Sequence, residues 1–164
     1  MSRGAVVKRA AVEPVRLFVS YSHLNRTWFQ MLRPLLRFRQ NTTLAHVWHD
    51  QELTAGVRWD KDIRQELDAM DVFLCLVSHH FHDSDYIMDV ELKRAKQRRA
   101  KDEIEVVPVL LEPMNLEHDI PFLHEHNPLP AFGKPWNSFN PRSNAFMLIR
   151  DGVRDAIERV RARA

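Results

Sequence analysis

A run of six consecutive apolar residues, 72–77, constrains the fold of this chain more than any other feature of its 164-residue sequence. No polar residue interrupts the run, which suits a strand buried on both faces. Strands of this kind are typical of parallel sheets whose two faces are covered by helices. The run therefore predicts a parallel α/β domain.

The rest of the chain alternates strand-like and helix-like segments. The sequence predicts strands over residues 15–19, 44–48, 72–77 and 106–111, with a further short strand near 134–136. Apolar side chains recur at helical spacing within residues 28–38, 59–70, 88–95 and 146–160. This order of elements favours a parallel sheet with helices on both faces.

Two prolines lie inside predicted elements. Pro34 interrupts the first helical stripe, so we expect a break near Arg33. Pro108 lies inside the fourth predicted strand, where it cannot donate to the ladder; the strand prediction is kept. Residues 78–84 are predicted to form a loop and residues 113–142 to be mostly irregular.

Length and composition fit one domain over residues 15–162, preceded by a mobile arm at residues 1–14. The chain has 24 Lys and Arg against 22 Asp and Glu, and this balance argues against a dedicated nucleic-acid-binding surface.

The single cysteine excludes an intramolecular disulfide. The first fourteen residues hold no apolar stretch of signal-peptide length, and no apolar run is long enough to span a membrane. We expect a cytoplasmic protein without membrane or nucleic-acid partners.

The predicted topology indicates where a ligand would bind. In open sheets of this class, ligands bind beyond the carboxyl ends of the strands, where the strand order reverses. In a flavodoxin-like order this point lies between the first and third strands. The loops that follow these strands are residues 20–22 and 78–80, and the segment 84–91 comes next along the chain.

Several stretches of the sequence together resemble a TIR domain, the Toll/interleukin-1 receptor/resistance-protein module, in its bacterial form. They are Phe18-Val19-Ser20-Tyr21-Ser22; Asp50 with Gly56 and Trp59; residues 71–78; residues 84–95; and Val107-Pro108-Val109 with Lys134-Pro135 and a closing helix. The resemblance covers residues 15–162. It implies a flavodoxin-like TIR fold with a five-stranded parallel sheet and helices on both faces.

The resemblance also implies an activity. Many bacterial TIR domains cleave NAD+ between nicotinamide and ribose, releasing ADP-ribose or a cyclic isomer, in antiviral defence or nucleotide signalling. An enzyme of this type uses NAD+ as its substrate and needs no further cofactor. It self-associates through TIR–TIR contacts. Its protein partner is an activator or a downstream effector. Other TIR domains are non-catalytic interaction modules, so the fold leaves both functions open.

By this resemblance the catalytic residue is Glu91. A carboxylate beside the nicotinamide ribose stabilises the positive charge that develops as nicotinamide leaves. Ile87 and Met88 lie four and three residues before Glu91, so its carboxyl borders an apolar stripe that would raise its pKa. On the helix alone, a solvated acid paired with a neighbouring cation is the simpler interpretation.

The spacing before Glu91 departs from part of the family. In animal members the serine that opens this helix often stands six residues before the acidic residue, whereas Ser84 stands seven before Glu91. One residue corresponds to about 100° of helix rotation. The bacterial pattern Ser84-Asp85-Tyr86 supports Glu91, and Asp89 is the alternative.

The remaining site predictions surround Glu91. The substrate-binding set is Ser20, Tyr21, Ser22, Asp50, Trp59, Ser84 and Tyr86. The three residues 20–22 would use backbone N–H and hydroxyl groups, and Tyr86 and Trp59 would stack on a ring. Turn formation for residues 20–22, and a core position for the two aromatics, are the alternatives. By the resemblance, Gly56 and Arg58 belong to the loop through which TIR domains contact one another, called the assembly loop below.

Other chemistry-bearing clusters have simpler explanations. Adjacent side chains in an extended loop point apart, so His79, His80 and His82 predict no metal site. The basic residues within 93–101 fit a solvated helix end better than a nucleic-acid surface. Cys75 lies in the buried strand and is predicted to be an inert core residue.

Overall fold

A parallel sheet of four strands forms the centre of the fold, which is described by a computed structural model over residues 13–39, 45–50 and 59–163. The strands are β1 (Val15–Ser20), β2 (Ala45–Trp48), β3 (Val72–Val77) and β4 (Glu105–Leu110). Their spatial order is β2-β1-β3-β4, and all three pairings are parallel. The first and third strands are therefore neighbours, as a flavodoxin-like order requires.

Helices cover both faces of this sheet. The α-helices are α1 (Arg26–Leu32), α2 (Trp59–Ala69), α3 (His79–Asp83), α4 (Lys93–Ala100), α5 (Leu116–Asp119), α6 (Pro121–His124) and α7 (Phe146–Arg163). A π-helix, Ile87–Leu92, runs directly into α4. Short 3₁₀ helices occupy His23–Asn25, Arg33–Leu36, Trp136–Ser138 and Arg142–Ala145.

The burial of β3 explains its unbroken apolar sequence. Leu74 and Leu76 join the core formed with α1 and α7, whereas Phe73, Cys75 and Val77 join the core formed with α2 and the π-helix. All six side chains of this strand are fully buried. The prediction of a doubly covered parallel strand is confirmed.

Two predicted elements are wrong. The described residues form four strands rather than five, because residues 134–136 do not extend into a strand: Ala131 and Lys134 make an isolated bridge and a 3₁₀ helix begins at Trp136. Pro135 between them has no N–H to give to a ladder. The predicted loop at 78–84 contains α3, whose first turn is capped by the Ser78 hydroxyl accepting from the Phe81 N–H at 3.0 Å.

The backbone geometry explains why Pro34 breaks its helix and why Pro108 is tolerated in its strand. The first helix ends at Leu32 and tightens into a 3₁₀ helix at Arg33, as Pro34 predicts. Pro108 does lie in a strand, paired in register with β3. Its carbonyl accepts from the Leu129 N–H at 2.8 Å, on the side away from β3. The proline nitrogen faces the same outer side, so no ladder donor towards β3 is lost.

The ends of the domain are only partly within the described ranges. Glu13 and Pro14 precede β1 without regular structure. The rest of the predicted arm, residues 1–12, lies outside the described residues, so its mobility stays a prediction. Among the helices in the described ranges, none is long and apolar enough to cross a membrane.

Arg98, one of the basic residues near the end of α4, caps the carboxyl end of α2. Its guanidinium donates to the carbonyls of Leu67 at 2.9 Å and Met70 at 2.6 Å, and pairs with Glu103 at 2.9 Å. Buried carbonyls without donors are costly, so Arg98→Met should lower the free energy of unfolding by about 1–3 kcal/mol. The matched control is Arg99→Met, which removes only an exposed pair and should cost less than about 0.5 kcal/mol. Urea unfolding measures both; equal losses would contradict this role.

Candidate functional site

The carboxyl ends of β1 and β3 lie side by side at the position predicted to bind a ligand, called the crevice below, and a buried hydrogen bond joins the loops that follow them. Ser20 ends β1 and is in register with Cys75 of β3. The Ser78 hydroxyl, just beyond β3, donates to the Asn25 side-chain oxygen at 2.6 Å, just before α1. Both residues are buried. The two loops predicted to form a ligand crevice are therefore adjacent.

Glu91 is buried at this crevice. Its side chain is only 8% exposed, within the π-helix. Burial raises the pKa of Glu91 to about 7; the Ser20 hydroxyl opposes this shift and the negative charge of Asp50 adds to it. The direction agrees with the apolar neighbours noted in the sequence. A carboxyl with this pKa changes its charge near neutral pH, which is the property expected of an acid–base or electrostatic catalyst.

The π-helix accounts for the extra residue between Ser84 and Glu91. The Ser84 hydroxyl accepts from the Ile87 N–H at 3.3 Å and its carbonyl from the Met88 N–H at 3.0 Å, so this serine anchors the start of the helix. A π turn holds one residue more than an α turn. The added residue is absorbed there, and Glu91 still faces the end of β1.

Asp89, the alternative candidate, faces elsewhere. It is exposed and lines a surface groove of about 450 Å³ between α2 and α4. Glu91 does not line that groove; the groups that shift its pKa are Ser20 and Asp50. The geometry therefore separates the two acids and favours Glu91 for chemistry at the crevice.

The hydroxyls of Ser20 and Tyr21 are both buried at the end of β1, and that of Ser20 lies beside Glu91. The Ser20 hydroxyl is close enough to lower the pKa of Glu91 but does not meet the geometry of a full hydrogen bond. The Tyr21 hydroxyl is also buried and unbonded, while its ring stacks on Phe29 at 4.6 Å. Burial and the charge of Asp50 raise the pKa of Tyr21 to about 12, so it remains a hydroxyl. Both groups can donate to a ligand.

Asp50 and Ser22 occupy the rim of the crevice. Asp50 follows β2, and its carboxylate lies 3.4 Å from the ring nitrogen of His23. The Ser22 hydroxyl accepts from the Leu24 N–H at 3.3 Å and caps a 3₁₀ turn. The structure thus gives Ser22 the turn-forming role that was its alternative, whereas Asp50 acts on both Glu91 and Tyr21.

An aromatic pair, Trp59 and Tyr86, lies near Glu91. The rings of Trp59 and Tyr86 are in contact, with their centroids 4.4 Å apart and their planes tilted by 41°. Trp59 is 43% exposed, so the interpretation of Trp59 as a core residue is wrong. Tyr86 is half-buried and close enough to Glu91 for the carboxylate to raise its pKa. The pair presents an aromatic surface next to the carboxylate.

One residue at this pair was missed by the sequence analysis. The Tyr86 hydroxyl donates to Asp60 at 2.9 Å, and the Arg64 Nε donates to the same carboxylate at 3.0 and 3.1 Å. Asp60 and Tyr86 are 26 residues apart, and no local spacing signals their contact. The predicted assembly-loop residues Gly56 and Arg58 lie outside the described residues, so their roles stay predictions.

The competing clusters take structural roles. His79 pairs with Glu112 at 2.7 Å and His118 with Asp119 at 3.0 Å. Within the described ranges, no group of three His, Cys, Asp or Glu side chains is placed to hold a metal. Cys75 is fully buried, and burial raises the pKa of its thiol well above the usual range, so a thiolate nucleophile is disfavoured there.

The basic residues of α4 are largely paired with acids. Arg94 meets Asp68 at 2.7 Å, and Arg99 meets Asp102 at 3.2 Å. The Lys96 ammonium lies 5.8 Å from the centre of the Phe122 ring. These contacts fit the solvated helix end that the sequence favoured, with the exception of Arg98, which is buried against the end of α2.

The fold and the position of Glu91 define a flavodoxin-like α/β domain with an acidic residue at its β1–β3 crevice. Comparison with known proteins then identifies the family. The TIR domain family model matches residues 17–143. This chain belongs to the TIR domain family. It is also 32% identical over 144 residues to the uncharacterized protein y4lF of Sinorhizobium fredii. That match covers 88% of this chain but 44% of the relative, so the chain spans less than half of its relative's length.

Proposed function

We propose that this TIR domain cleaves NAD+ between nicotinamide and ribose, with Glu91 as the catalytic carboxylate. The observation that carries the proposal is the position of Glu91, buried where β1 and β3 end and with a pKa raised to about 7. A carboxylate in such a low-dielectric place interacts more strongly with a developing cation than one in water. The family membership supports the proposal, since the TIR family includes such enzymes.

The proposed reaction breaks the bond between ribose C1′ and the nicotinamide nitrogen. The bonding electrons leave with nicotinamide, which becomes neutral, and the ribosyl centre gains oxocarbenium character. The Glu91 carboxylate stabilises this positive charge. Water then adds at C1′ and loses a proton, giving ADP-ribose; attack by a nitrogen of the adenine instead gives a cyclic product. NAD+ is the substrate, and no separate cofactor takes part.

The two unbonded hydroxyls at the crevice support a sugar-binding role. A buried hydroxyl without a partner costs free energy, which a ligand recovers by bonding to it. Ribose hydroxyls can both donate to and accept from Ser20 and Tyr21, whose hydroxyls lack partners among the described residues. Because Ser20 acts on Glu91, we expect the Ser20 contact to hold the sugar beside this carboxyl. The exposed face of Trp59 and the neighbouring Tyr86 would stack on a ring of the substrate.

The wider biology is part of the same proposal. Self-association through TIR–TIR contacts would bring the enzyme to its active form, in antiviral defence or nucleotide signalling in the cytoplasm, with an activating or effector protein as partner. The low exposure of Glu91 favours such an activation step, because the carboxyl must become accessible to substrate. The same observation also favours a second candidate function, a non-catalytic TIR interaction module.

NAD+ consumption with product analysis distinguishes these functions. Wild-type protein is incubated with NAD+ over a wide range of protein concentrations, and nicotinamide, ADP-ribose and cyclic products are separated. The enzyme proposal predicts nicotinamide release whose specific rate increases with protein concentration as the chain assembles. Concentration-dependent assembly without any nicotinamide release would instead favour the interaction module.

A further inference from the structure

The carboxylate of Asp60 connects the start of α2 to the segment that carries Glu91. It accepts the Tyr86 hydroxyl at 2.9 Å, and Tyr86 directly precedes the π-helix. Trp59, the neighbour of Asp60, packs against the same tyrosine ring in a tilted arrangement, with a centroid distance of 4.4 Å. The two aromatic rings and the carboxylate therefore form one contact set between α2 and the π-helix.

We propose that Asp60 is a positioning residue that holds the Trp59–Tyr86 aromatic surface in the orientation that binds the substrate. This inference rests on the proposed function. Tyr86 has two contacts that fix its ring: a tilted indole packed against it and a carboxylate at its hydroxyl. Without the carboxylate, the ring can turn about its side-chain bonds and the pair no longer presents one defined surface.

The charge state of the contact favours this role. Burial and the Asp60 carboxylate raise the pKa of Tyr86 above its usual value, so the phenol keeps its proton and donates. The same hydrogen bond and the one from Arg64 lower the pKa of Asp60, so Asp60 stays an acceptor. Arg64 lies one helical turn after Asp60 and holds both carboxylate oxygens. Asp60 is thus fixed from its own helix while it bonds Tyr86 on another segment.

The chain offers a matched control on the same two elements. Asp68 of α2 pairs with Arg94 of α4 at 2.7 Å, so it also links α2 to the helix that follows Glu91. Both acids are exposed, and their partners stand 26 residues away in each case. Only Asp60 contacts the aromatic pair. A general loosening of α2 would affect both variants, whereas loss of aromatic positioning would affect one.

Steady-state kinetics with NAD+ test the inference in Asp60→Ala, Tyr86→Phe, the double variant and Asp68→Ala. Substrate stacking contributes equally to the bound substrate and the transition state. We therefore expect KM to rise about three- to tenfold in Asp60→Ala and in Tyr86→Phe, with kcat changed less than about twofold.

The KM of the double variant should be no higher than that of either single variant, because both substitutions remove the same bond. Asp60→Asn keeps an oxygen acceptor and should recover most of the wild-type KM. Asp68→Ala should match the wild type.

Several results would overturn the inference while leaving the proposed function intact. In each case the wild-type enzyme releases nicotinamide. In the first, Asp60→Ala behaves like Asp68→Ala. In the second, the effects of Asp60→Ala and Tyr86→Phe on KM add in the double variant. A fall in kcat that parallels a fall in melting temperature would also overturn it, since that indicates a structural role. Wild-type protein that releases no nicotinamide in an assembled state would overturn both proposals.

Discussion

At pH 8, the Glu91→Gln variant should be more stable than the wild type by about 3 kcal/mol, and at pH 4 the two should be equally stable. Burial raises the pKa of Glu91 from 4.5 to about 7, and each unit of pKa corresponds to about 1.4 kcal/mol. Below pH 4.5 the carboxyl is protonated in both the folded and unfolded states. Between pH 4.5 and 7 the unfolded chain loses this proton while the folded chain keeps it, so wild-type stability falls as pH rises.

Thermal unfolding at pH 4, 6 and 8 measures this difference. For a domain of this size the expected gain corresponds to a melting temperature roughly 6–12 °C higher for Glu91→Gln at pH 8. Asp89→Asn is the matched control, because Asp89 is an exposed acid on the same π-helix. Its effect should not grow with pH. A Glu91→Gln variant that is equally stable or less stable at pH 8 would contradict the buried environment of this carboxyl.

The second large effect is on the rate of NAD+ cleavage as a function of pH. Only the ionised carboxyl stabilises an oxocarbenium-like centre, so kcat/KM should rise with pH to a plateau with a midpoint near 7, the pKa that burial gives Glu91. Below the midpoint the increase is about tenfold per pH unit, which amounts to about 100-fold between pH 5 and 8. Nicotinamide release at low NAD+ concentration gives kcat/KM directly.

One variant tests whether Glu91, rather than a neighbouring side chain, sets the midpoint. His23 lies 3.4 Å from Asp50 at the rim of the crevice. His23→Asn should leave the midpoint near 7, because the titrating group is Glu91. Circular dichroism over the same pH range would show that the protein remains folded. A midpoint that disappears with His23, or a rate that does not change between pH 5 and 8, would contradict the assignment.

The sequence predicted those parts of the fold in which local pattern and tertiary burial agree. The apolar run 72–77 coincides with β3, because every side chain of that strand faces one of the two cores. Pro34 marks the change of helix type at Arg33. Pro108 looked unfavourable in a strand only because the sequence does not reveal which side of β4 is the outer one.

The errors arise where a short element depends on a few contacts. The five residues of α3 are too few to show helical periodicity, and the capping hydroxyl of Ser78 was the one local signal available. The short strand predicted near 134–136 does not form, because Pro135 interrupts its position and Trp136 begins a 3₁₀ helix. Family resemblance gives the topology more safely than the number of strands.

The candidate site was partly readable in the same way. The π-helix accommodates the seven-residue spacing from Ser84 to Glu91, and the catalytic role of Glu91 stays a prediction. The meeting of Ser20, Asp50 and Glu91 depends on three segments coming together, which no local pattern encodes. Asp60 illustrates the same limit, because its contact with Tyr86 exists only in the folded chain.

The most direct test of the central claim compares nicotinamide release from NAD+ by wild-type protein and by Glu91→Gln, at equal and high protein concentration. Removal of one group that stabilises transition-state charge typically costs about 10²–10³ in kcat. We therefore predict release by the wild type and at least about a 100-fold lower rate for Glu91→Gln, with Asp89→Asn close to the wild type. Equal rates of nicotinamide release by the wild type and Glu91→Gln would contradict the claim that Glu91 carries the chemistry.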